Sequence, residues 1–376
     1  MNVTVITAAP KPILNWSERL ERWHLDLWLS VLVLAVCALG LFILYSATGE
    51  SVAMVVSQAE RLALGLGTML MLANAPPDFY RAAAPWFYGL ALVLLIACAL
   101  LGAHAKGAQR WLDLGFMRFQ PSELMKLATP IAVAAYLQSR PLPPSLPTVL
   151  ASLGLIAVPT ALIALQPDLG TALLVLVSGL LALYFGGLKP RYLALALAAA
   201  AAAAPLAWYK LHDYQRERLL TFLDPSRDPL GAGYHITQSK IAIGSGGLFG
   251  KGWLAGTQAK LDFLPEAHTD FIFAVYAEEL GLIGVLLLLA LYAAIVGRCL
   301  VIAMRGQDTF QRLLAGSLAL TFFVYVFINI GMVIGLLPVV GVPLPLMSYG
   351  GTSMVSLLAG FGILMSIHTH RKLLAS

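Results

Sequence analysis

Five ionisable residues lie in the stretch FLPEAHTDFIFAVYAEELG, residues 263–281, where a loop runs into an apolar segment. A carboxylate or an imidazole in such a place can accept or donate a proton during a reaction. Ionisable groups beside a lipid-soluble segment are costly to insert, so they are candidates for function. The five residues are Glu266, His268, Asp270, Glu278 and Glu279.

These residues have competing interpretations. Asp270 lies at the start of the apolar segment, where a carboxylate is placed to act as a base. Glu266 and His268 either orient Asp270 or a substrate, or they are solvated loop residues. Glu278 follows Asp270 by eight positions and is expected near the same helix face. One of Glu278 and Glu279 is expected to be a paired structural charge, and the sequence does not decide which.

Further charges lie inside or at the edge of apolar segments. QPSELMKL places Glu123 and Lys126 three residues apart, on one helix face and close enough to pair. SQAERL places Arg61 about two turns inside the second apolar run, and QPDLG places Asp168 at the start of another. An ion pair that locks helices together explains each charge alone equally well. As a group, they indicate a polar cavity for an anionic headgroup.

The segment 104–121 adds basic residues, among them Lys106 and Arg110. Lysine and arginine otherwise concentrate in the chain ends and in alternate short loops, which the positive-inside rule places in the cytoplasm. Segment 104–121 falls on the opposite, outer side and is an exception to that rule. An anionic ligand on the outer side would explain the exception.

The composition is that of a membrane protein. Hydrophobic residues make up 59% of 376 positions and charged residues only 11%, whereas a soluble domain carries about 25% charged residues. A helix needs roughly 20 apolar residues to cross a bilayer. We therefore predict an all-α, polytopic integral membrane protein with ten transmembrane helices. The ten apolar runs lie near 26–46, 52–73, 84–103, 122–138, 146–165, 168–187, 190–209, 270–298, 309–337 and 346–368.

An even number of spans places both termini on one side, and the basic residues assign that side to the cytoplasm. Residues 1–25 and 371–376 are then cytoplasmic tails, and 26–370 form one transmembrane domain. One long extracytoplasmic loop is expected at 210–269, and loops of this length are usually functional. The three cysteines fall in or beside apolar runs, so neither a disulfide framework nor a metal cluster is expected.

The long loop contains two local patterns. YHITQSKIAI, residues 234–243, is expected to form a short interfacial helix. GSGGLFGKGW, residues 244–253, is not a phosphate loop, because Ser245 and Gly252 stand where that motif requires glycine and a hydroxyl residue. A flexible glycine turn on the membrane surface is the expected structure.

Long motifs in this chain resemble the SEDS family of cell-wall polymerases, and the C-terminal SIHTHRK resembles its elongation member in particular. The resemblance extends from about residue 24 onward, which is essentially the whole chain. The motifs are GSGGLFGKGWLAGTQAKLDFLPEAHTDFIFAVYAEELGLIG, KGAQRWLDLG with FQPSELMKL, QPDLGTA, and PVVGVPLPLMSYGGTS.

This resemblance implies a peptidoglycan glycosyltransferase that polymerises lipid II on the outer face of the cytoplasmic membrane. It implies that Asp270, the aspartate of the HTD triplet, is the catalytic residue. The family's other functional positions correspond to Glu123, Lys126, Asp168 and Arg61. The resemblance also implies a complex with a class B penicillin-binding protein, the transpeptidase that cross-links the glycan, within the elongation machinery.

In the hypothesis for this reaction, Asp270 takes the proton from the acceptor hydroxyl. Arg61, Lys106, Arg110 and Lys126 stabilise the negative charge on the departing pyrophosphate. A lipid II flippase remains the alternative, although its charges should extend through the full membrane depth. A non-catalytic scaffold would leave Asp270 unexplained. No cofactor and no nucleic-acid partner are expected, and a divalent cation on the pyrophosphate is compatible with the sequence.

Overall fold

The computed structural model describes most of the chain. The described residues are 23–105, 108–113, 118–189, 213–224, 227–228, 231–261, 263–264 and 266–371, with isolated positions between 191 and 209. Within this part the protein is mostly helical. The seventh apolar run, 190–209, lies largely outside the described residues, as do Lys106 and residues 1–22.

Twelve helices and three short strands make up the described part. The helices of the first half are α1 (Leu27–Ala47), α2 (Val52–Asn74), α3 (Pro77–Leu101), α4 (Pro121–Gln138), α5 (Leu146–Leu165) and α6 (Leu169–Phe185). The second half contains α7 (Asp213–Leu223), α8 (Ala232–Ser245), α9 (Thr257–Lys260), α10 (Ile272–Met304), α11 (Thr309–Val333) and α12 (Thr352–Thr369). The strands are β1 (Ala103–Ala105), β2 (Ala108–Asp113) and β3 (Arg118–Phe119).

The protein is a multi-pass membrane protein. Six of the described helices, α1, α3, α5, α10, α11 and α12, are long and apolar enough to cross a bilayer, and α6 is a shorter apolar helix. Helices α2 and α4 are of similar length but less apolar. Helix α3 begins seven residues before the apolar run that predicted it, because Pro77 at its first position starts the helix ahead of that run.

The expectation of an all-α fold is wrong in one place. Strands β1, β2 and β3 form a small antiparallel sheet, in which Leu112 pairs with Phe119 and Asp113 with Arg118. This segment is too polar to cross the bilayer as a helix. Antiparallel pairing therefore satisfies its backbone hydrogen-bonding groups.

The eighth apolar run, predicted as one continuous span, is interrupted. Within α10, Gly281 has φ 64° and ψ −165°, which breaks the helix. Residues 272–279 before the break are buried, whereas Leu282 and Ile283 just after it are about half exposed. Asp270 precedes the helix, so it does not share a helix face with Glu278 as expected.

The long connection 210–269 carries secondary structure of its own. Helices α7, α8 and α9 lie within it, and α8 confirms the short helix predicted at 234–243. The glycine-rich segment after α8 is not a free surface turn. Its backbone is hydrogen-bonded to α10 on both sides of Gly281, as Leu282 N–H donates to Gly247 O at 2.9 Å and Lys251 N–H to Glu278 O at 3.0 Å.

Helix α4 lies at the centre of the molecule. Most of its side chains are buried, and it packs against α3, α5, α6, α11 and α12. Because α4 begins with the QPSELMK motif, its two charged residues are placed in the interior of the bundle rather than in contact with lipid. Burial of this kind is tolerated only when the charges are paired or hydrogen-bonded.

A polar junction joins the first and last described helices. Asp26 caps α1 by accepting the Leu29 N–H at 2.7 Å, and it also forms an ion pair with Arg298 of α10. His368 near the end of α12 lies 3.1 Å from the same carboxylate. Asp26 is only 4% exposed, so this junction fixes the start of α1 to the end of α12.

Candidate active site

Side-chain hydrogen bonds hold the backbone around Asp270 in place, and we call this network of bonds the frame. Asn329 of α11 donates from Nδ2 to the Asp270 carbonyl at 2.9 Å and to the Val342 carbonyl at 2.7 Å. Ser348 donates to the Thr269 carbonyl at 2.6 Å while accepting the Leu344 N–H at 2.7 Å. Two buried side chains therefore join the segment of Asp270 to the segment that connects α11 and α12. The position of the Asp270 backbone is fixed as a result.

The carboxylate of Asp270 lies beside a glycine. A Cβ atom placed on Gly341 would lie 3.6 Å from Asp270 Oδ2, which is ordinary contact distance. Gly341 itself has φ 74°, a left-handed conformation that favours glycine. The backbone at Gly341 therefore turns close to the carboxylate, and any larger side chain at this position would contact it.

His268 and Arg61 meet at one aromatic ring. The His268 carbonyl accepts the Tyr349 N–H at 2.9 Å, and the two rings are edge to face with centroids 5.9 Å apart. The Arg61 guanidinium lies 4.3 Å from the centroid of the Tyr349 ring. A cation over an aromatic face is attracted to it. In the described part of the chain, no carboxylate pairs with Arg61, so its charge is not neutralised there by an acidic side chain.

Glu266 shapes the turn that leads to Asp270. It has φ 57°, and its carbonyl accepts the Thr269 N–H at 3.1 Å. Its carboxylate accepts the Thr269 hydroxyl at 2.8 Å. The position of Glu266 therefore supports the orienting interpretation over that of a freely solvated loop residue.

Gln58 connects α2 to the same frame. Its Nε2 donates to the Ser348 carbonyl at 3.2 Å, and its Oε1 accepts the Gly350 N–H at 3.2 Å. Gln58 is 2% exposed, so both hydrogen bonds are shielded from solvent. Because Arg61 follows Gln58 by one turn of α2, Gln58 also fixes Arg61 relative to Asp270.

The predicted ion pair of α4 is present. Lys126 Nζ lies 2.7 Å from Glu123 Oε2, and both side chains are less than a tenth exposed. The Ser356 hydroxyl donates to Glu123 at 2.6 Å, and the Lys126 ammonium lies 4.7 Å from the centre of the Tyr325 ring. Tyr325 in turn contacts Ser353 at 3.1 Å. The pair is thus part of a polar cluster between α4, α11 and α12.

Asp168 and Arg110 form a third group. Asp168 caps α6 by accepting the Thr171 N–H at 3.2 Å, and it accepts Gln120 Nε2 at 2.9 Å. Arg110 Nη1 lies 4.0 Å from Asp168, and its other nitrogens donate to the carbonyls of Gln166 and Pro167. These contacts occupy the Arg110 guanidinium with the protein's own acceptors.

The three groups are connected. Gln120 also donates to Ser122 at 3.0 Å, which places the Asp168 group at the first turn of α4, beside Glu123. Tyr325 and Asn329 are one turn apart on α11 and link the Lys126 cluster to Asp270. Shared hydrogen bonds and helix turns therefore connect the groups that contain Arg61, Glu123, Lys126, Asp168, Glu266, His268 and Asp270. Lys106 lies outside the described residues.

An apolar cavity adjoins the Lys126 cluster. It lies between α4, α11 and α12, and Lys126, Thr321, Tyr325 and Ser356 provide its polar lining. Its apolar lining comes from Leu127, Leu318, Phe322, Leu357, Phe361 and Leu364. The region therefore combines cationic groups with a hydrophobic space, as a ligand with a charged head and an apolar chain would require.

Glu278 and Glu279 are engaged elsewhere in the chain. Glu278 forms an ion pair with Lys251 at 2.6 Å, and Glu279 accepts the hydroxyl of Ser46. The structure thus identifies Glu278 as the paired structural charge that the sequence left undecided. No group of three or more potential metal-ligating side chains was found among the described residues.

Several residues of the frame were missed from the sequence, namely Gln58, Tyr325, Asn329, Ser348 and Tyr349. Gln58 and Asn329 carried a usable signal, because an amide inside an apolar run is costly unless it is hydrogen-bonded. The other three are of types that also occur in loops and at helix ends, so residue type alone does not distinguish them.

Comparisons with known proteins extend over nearly the whole chain. The FtsW/RodA/SpoVE family model, described as cell cycle protein, matches residues 22–373. Peptidoglycan glycosyltransferase MrdB of Escherichia coli (strain K12) is 54% identical over 356 residues, which cover 94% of this chain and 96% of MrdB.

Two solved structures share the fold. One is a chain from a peptidoglycan synthase complex, solved in a study of how polymerization and crosslinking are coordinated. It matches with a TM-score of 0.82 at 35% identity, covering 93% of this chain and 98% of that chain. The other is the rod shape determining protein RodA of Thermus thermophilus, with a TM-score of 0.70 at 32% identity over 92% of this chain and 98% of that chain.

Proposed function

The chain belongs to the FtsW/RodA/SpoVE family, and we propose that it is a peptidoglycan glycosyltransferase that polymerises lipid II into glycan strands. The names of its relatives support this activity, since MrdB of E. coli is a peptidoglycan glycosyltransferase. The observation that carries the proposal is Asp270, a carboxylate whose backbone is fixed beside Arg61 and the Lys126 cluster. The likeness to MrdB and to a rod shape determining protein supports a function in cell elongation and cell-shape maintenance.

The reaction joins two sugars. Lipid II carries its disaccharide on a polyprenyl chain through a pyrophosphate. Asp270 takes the proton from the 4-hydroxyl of the acceptor GlcNAc as that oxygen attacks C1 of the donor MurNAc. The bond from C1 to the phosphate oxygen breaks, and undecaprenyl pyrophosphate leaves with the bonding electron pair. Attack from the opposite face converts the α-linked donor into a β-linked glycan.

The pyrophosphate needs positive charge where its own negative charge develops. Arg61 is best placed, because no carboxylate pairs with it in the described residues and Tyr349 holds its guanidinium. Lys126 contributes a buried charge that Glu123 partly neutralises. Arg110 acts mainly by shaping the start of α6, since its donors are occupied. Lys106 remains a further candidate from the sequence.

The polyprenyl chain needs an apolar path. The cavity beside Lys126 supports this requirement, because its lining is apolar apart from the groups that adjoin the Lys126 cluster. Burying a CH₂ group is worth about 0.8 kcal/mol. The first isoprene units of the substrate would thus be held next to its phosphates. A divalent cation bound through the phosphate oxygens is compatible with this arrangement.

The proposed topology has ten spans, both termini in the cytoplasm and the long loop 210–269 outside. The distribution of basic residues supports it. Asp270, His268 and Glu266 then lie on the outer face, where lipid II is polymerised. A class B penicillin-binding protein is the proposed partner in the elongation complex, and the likeness to a chain of a peptidoglycan synthase complex supports it. No observation favours the flippase alternative.

The direct test is polymerisation by the purified protein. Wild type, alone and with its transpeptidase partner, is incubated with lipid II in detergent, and glycan strands are separated on a gel. Asp270→Asn keeps the shape of the side chain but weakens it as a base, so we expect strands to disappear while the fold and partner binding persist. A monodisperse Asp270→Asn protein with near wild-type polymerisation would contradict the assignment of Asp270 as the base.

A further inference from the structure

The glycine-rich segment after α8 compensates for the break in α10. A helix break leaves carbonyls before it and N–H groups after it without partners. Residues 247–252 supply these partners: Lys251 and Gly252 donate to the carbonyls of Glu278 and Glu279, both at 3.0 Å. In the other direction, Leu282 and Ile283 donate to the carbonyls of Gly247 and Leu248. We call residues 246–258, the segment that contains these partners and continues to Gln258, the clasp.

Glycine is required where the clasp meets α10. A Cβ atom on Gly250 would overlap the Glu279 carbonyl, and one on Gly281 would overlap the backbone nitrogen of Gly250. Both residues also have positive φ values, 79° and 64°. Larger residues at either position would force the two backbones apart, so these glycines serve close packing rather than flexibility.

Glu278 binds the far end of the clasp. One of its oxygens, Oε1, accepts a hydrogen bond from the Lys251 ammonium at 2.6 Å. The same oxygen accepts hydrogen bonds from the Thr257 N–H and the Thr257 hydroxyl, both at 2.9 Å. Its other oxygen accepts the Gln258 N–H at 3.2 Å. The carboxylate is fully buried, and charge-assisted hydrogen bonds to a buried carboxylate are strong. Glu278 thus fixes the backbone at Thr257 and Gln258.

The clasp is also attached to α1. The Trp253 ring stacks on Phe42 with centroids 4.5 Å apart, and its indole N–H donates to the Phe42 carbonyl at 3.3 Å. The Ser46 hydroxyl of α1 donates to Glu279 of α10, so α1 also contacts the helix to which the clasp is bound. These contacts on a second helix prevent the clasp from moving as a free loop.

A short series of contacts connects the fixed backbone at Gln258 to the segment of Asp270. The Gln258 carbonyl accepts the N–H groups of Phe263 at 3.1 Å and Leu264 at 3.2 Å. Leu264 is 3% exposed and packs in the core. The turn at Glu266 begins two positions after Leu264, and Asp270 lies in it, two positions before the start of α10. Hydrogen bonds and the buried Leu264 thus connect Glu278 to the backbone just before this turn.

From this geometry we infer that Lys251 and Glu278 are positioning residues for the transferase reaction. They order the segment that carries Asp270, and they do so without contact with the substrate. This inference rests on the proposed function. It deepens that function by assigning a purpose to the glycine-rich motif and to a carboxylate that the proposed reaction does not use.

The test separates turnover from substrate affinity. Lys251→Met leaves the Glu278 carboxylate without its cation and loosens the clasp. A misplacement of about 1 Å can cost about 100-fold in rate, so we expect kcat for lipid II to fall at least about tenfold. KM should change less than about twofold, because the groups that bind the pyrophosphate are untouched. Lys251→Arg retains the cation and should recover most of the rate.

A matched control comes from the same segment. Lys260 lies 3.8 Å from Glu50, and both side chains are largely exposed. Lys260→Met removes an exposed pair of this kind, which contributes little to stability, and should leave kcat unchanged. If Lys251→Met does not fold, Thr257→Val offers a milder variant, because it removes one hydroxyl, which donates to Glu278 and accepts from Lys251, and leaves the ion pair in place.

Hydrogen exchange supplies a readout besides activity. In Lys251→Met or Thr257→Val, the amides of residues 257–271 should exchange faster than in wild type. Faster exchange with unchanged kcat would overturn the inference, and so would a fall in kcat without faster exchange. Wild-type protein that forms no glycan would instead refute the proposed function, so the two failures are distinguishable.

Discussion

Asn329 donates the same side-chain amide to two carbonyls, that of Asp270 at 2.9 Å and that of Val342 at 2.7 Å. The amide is fully buried, in a helix most of whose buried side chains are apolar. One side chain therefore sets the separation between the segment of Asp270 and the segment between α11 and α12. The first prediction tests this separation.

Asn329→Asp should lower kcat with little change in KM. The variant has nearly the same shape, but an ionised carboxylate cannot donate to either carbonyl and would repel both. Displacement of Asp270 is expected to cost about 10- to 100-fold in rate. Steady-state polymerisation over a range of lipid II concentrations measures both constants. Wild-type kcat in a folded Asn329→Asp protein would show that the amide does not position Asp270.

The second prediction concerns the Glu123 and Lys126 pair. Lys126→Met removes the cation and leaves a buried carboxylate, so unfolding free energy should fall by about 3 kcal/mol. The double variant Glu123→Gln with Lys126→Met should recover stability but not activity, because the charge near the pyrophosphate is still missing. Thermal unfolding and polymerisation are measured on the same preparations. Recovery of both properties would mean that the pair is only structural.

Arg61 and Arg110 should respond differently to truncation. Arg61→Ala should raise the lipid II concentration needed for half-maximal rate, since its charge has no carboxylate partner among the described residues. Arg110→Ala should lower thermal stability instead, because it releases the carbonyls of Gln166 and Pro167. Arg61→Lys is the control: it keeps the charge but loses the planar stacking on Tyr349. A larger shift in substrate dependence for Arg110→Ala than for Arg61→Ala would reverse these assignments.

The junction at Asp26 predicts acid sensitivity. Burial alone would raise the pKa of the Asp26 carboxyl, but hydrogen bonds from Arg298 and the Leu29 N–H hold that pKa below its usual 3.8. A lowered pKa stabilises the fold above the usual value, and this stability is lost as the pH falls through the lowered one.

Thermal unfolding of wild type and Asp26→Asn should be compared from about pH 7 to about pH 3. The wild-type advantage should be constant near neutral pH and should shrink only at the acid end. An advantage that instead grows as the pH falls through about 6.5, where histidines titrate, would point to protonation of His368 beside Asp26 rather than to Asp26 itself.

The sequence predicted the parts of the fold that depend on local pattern. Helix α5 has the predicted bounds, 146–165, because an uninterrupted apolar run determines both its ends. The Glu123 and Lys126 pair was predicted from a spacing of three, which any helix converts into proximity. These features need no knowledge of distant contacts.

The structural features that the sequence did not predict depend on contacts between distant segments. The break at Gly281 is stabilised by residues 247–252, some thirty positions earlier, so a local reading joins both pieces into one span. The frame around Asp270 draws Gln58, Asn329 and Ser348 from three separate elements. Polar residues of these types satisfy local backbone groups as often as they serve a site, and sequence alone does not separate the two uses.

The break at Gly281 also bears on how the protein matches its bilayer. Residues 282–304, after the break, form a helix about 34 Å long at 1.5 Å per residue, close to the roughly 30 Å of a bilayer core. With the buried piece 272–280 included, the same helix would be about 50 Å long and would need strong tilt. Gly281 thus ends the lipid-facing length near the hydrophobic thickness. Changes in acyl-chain length should then alter the tilt of residues 282–304 while the buried piece keeps its place beneath Asp270.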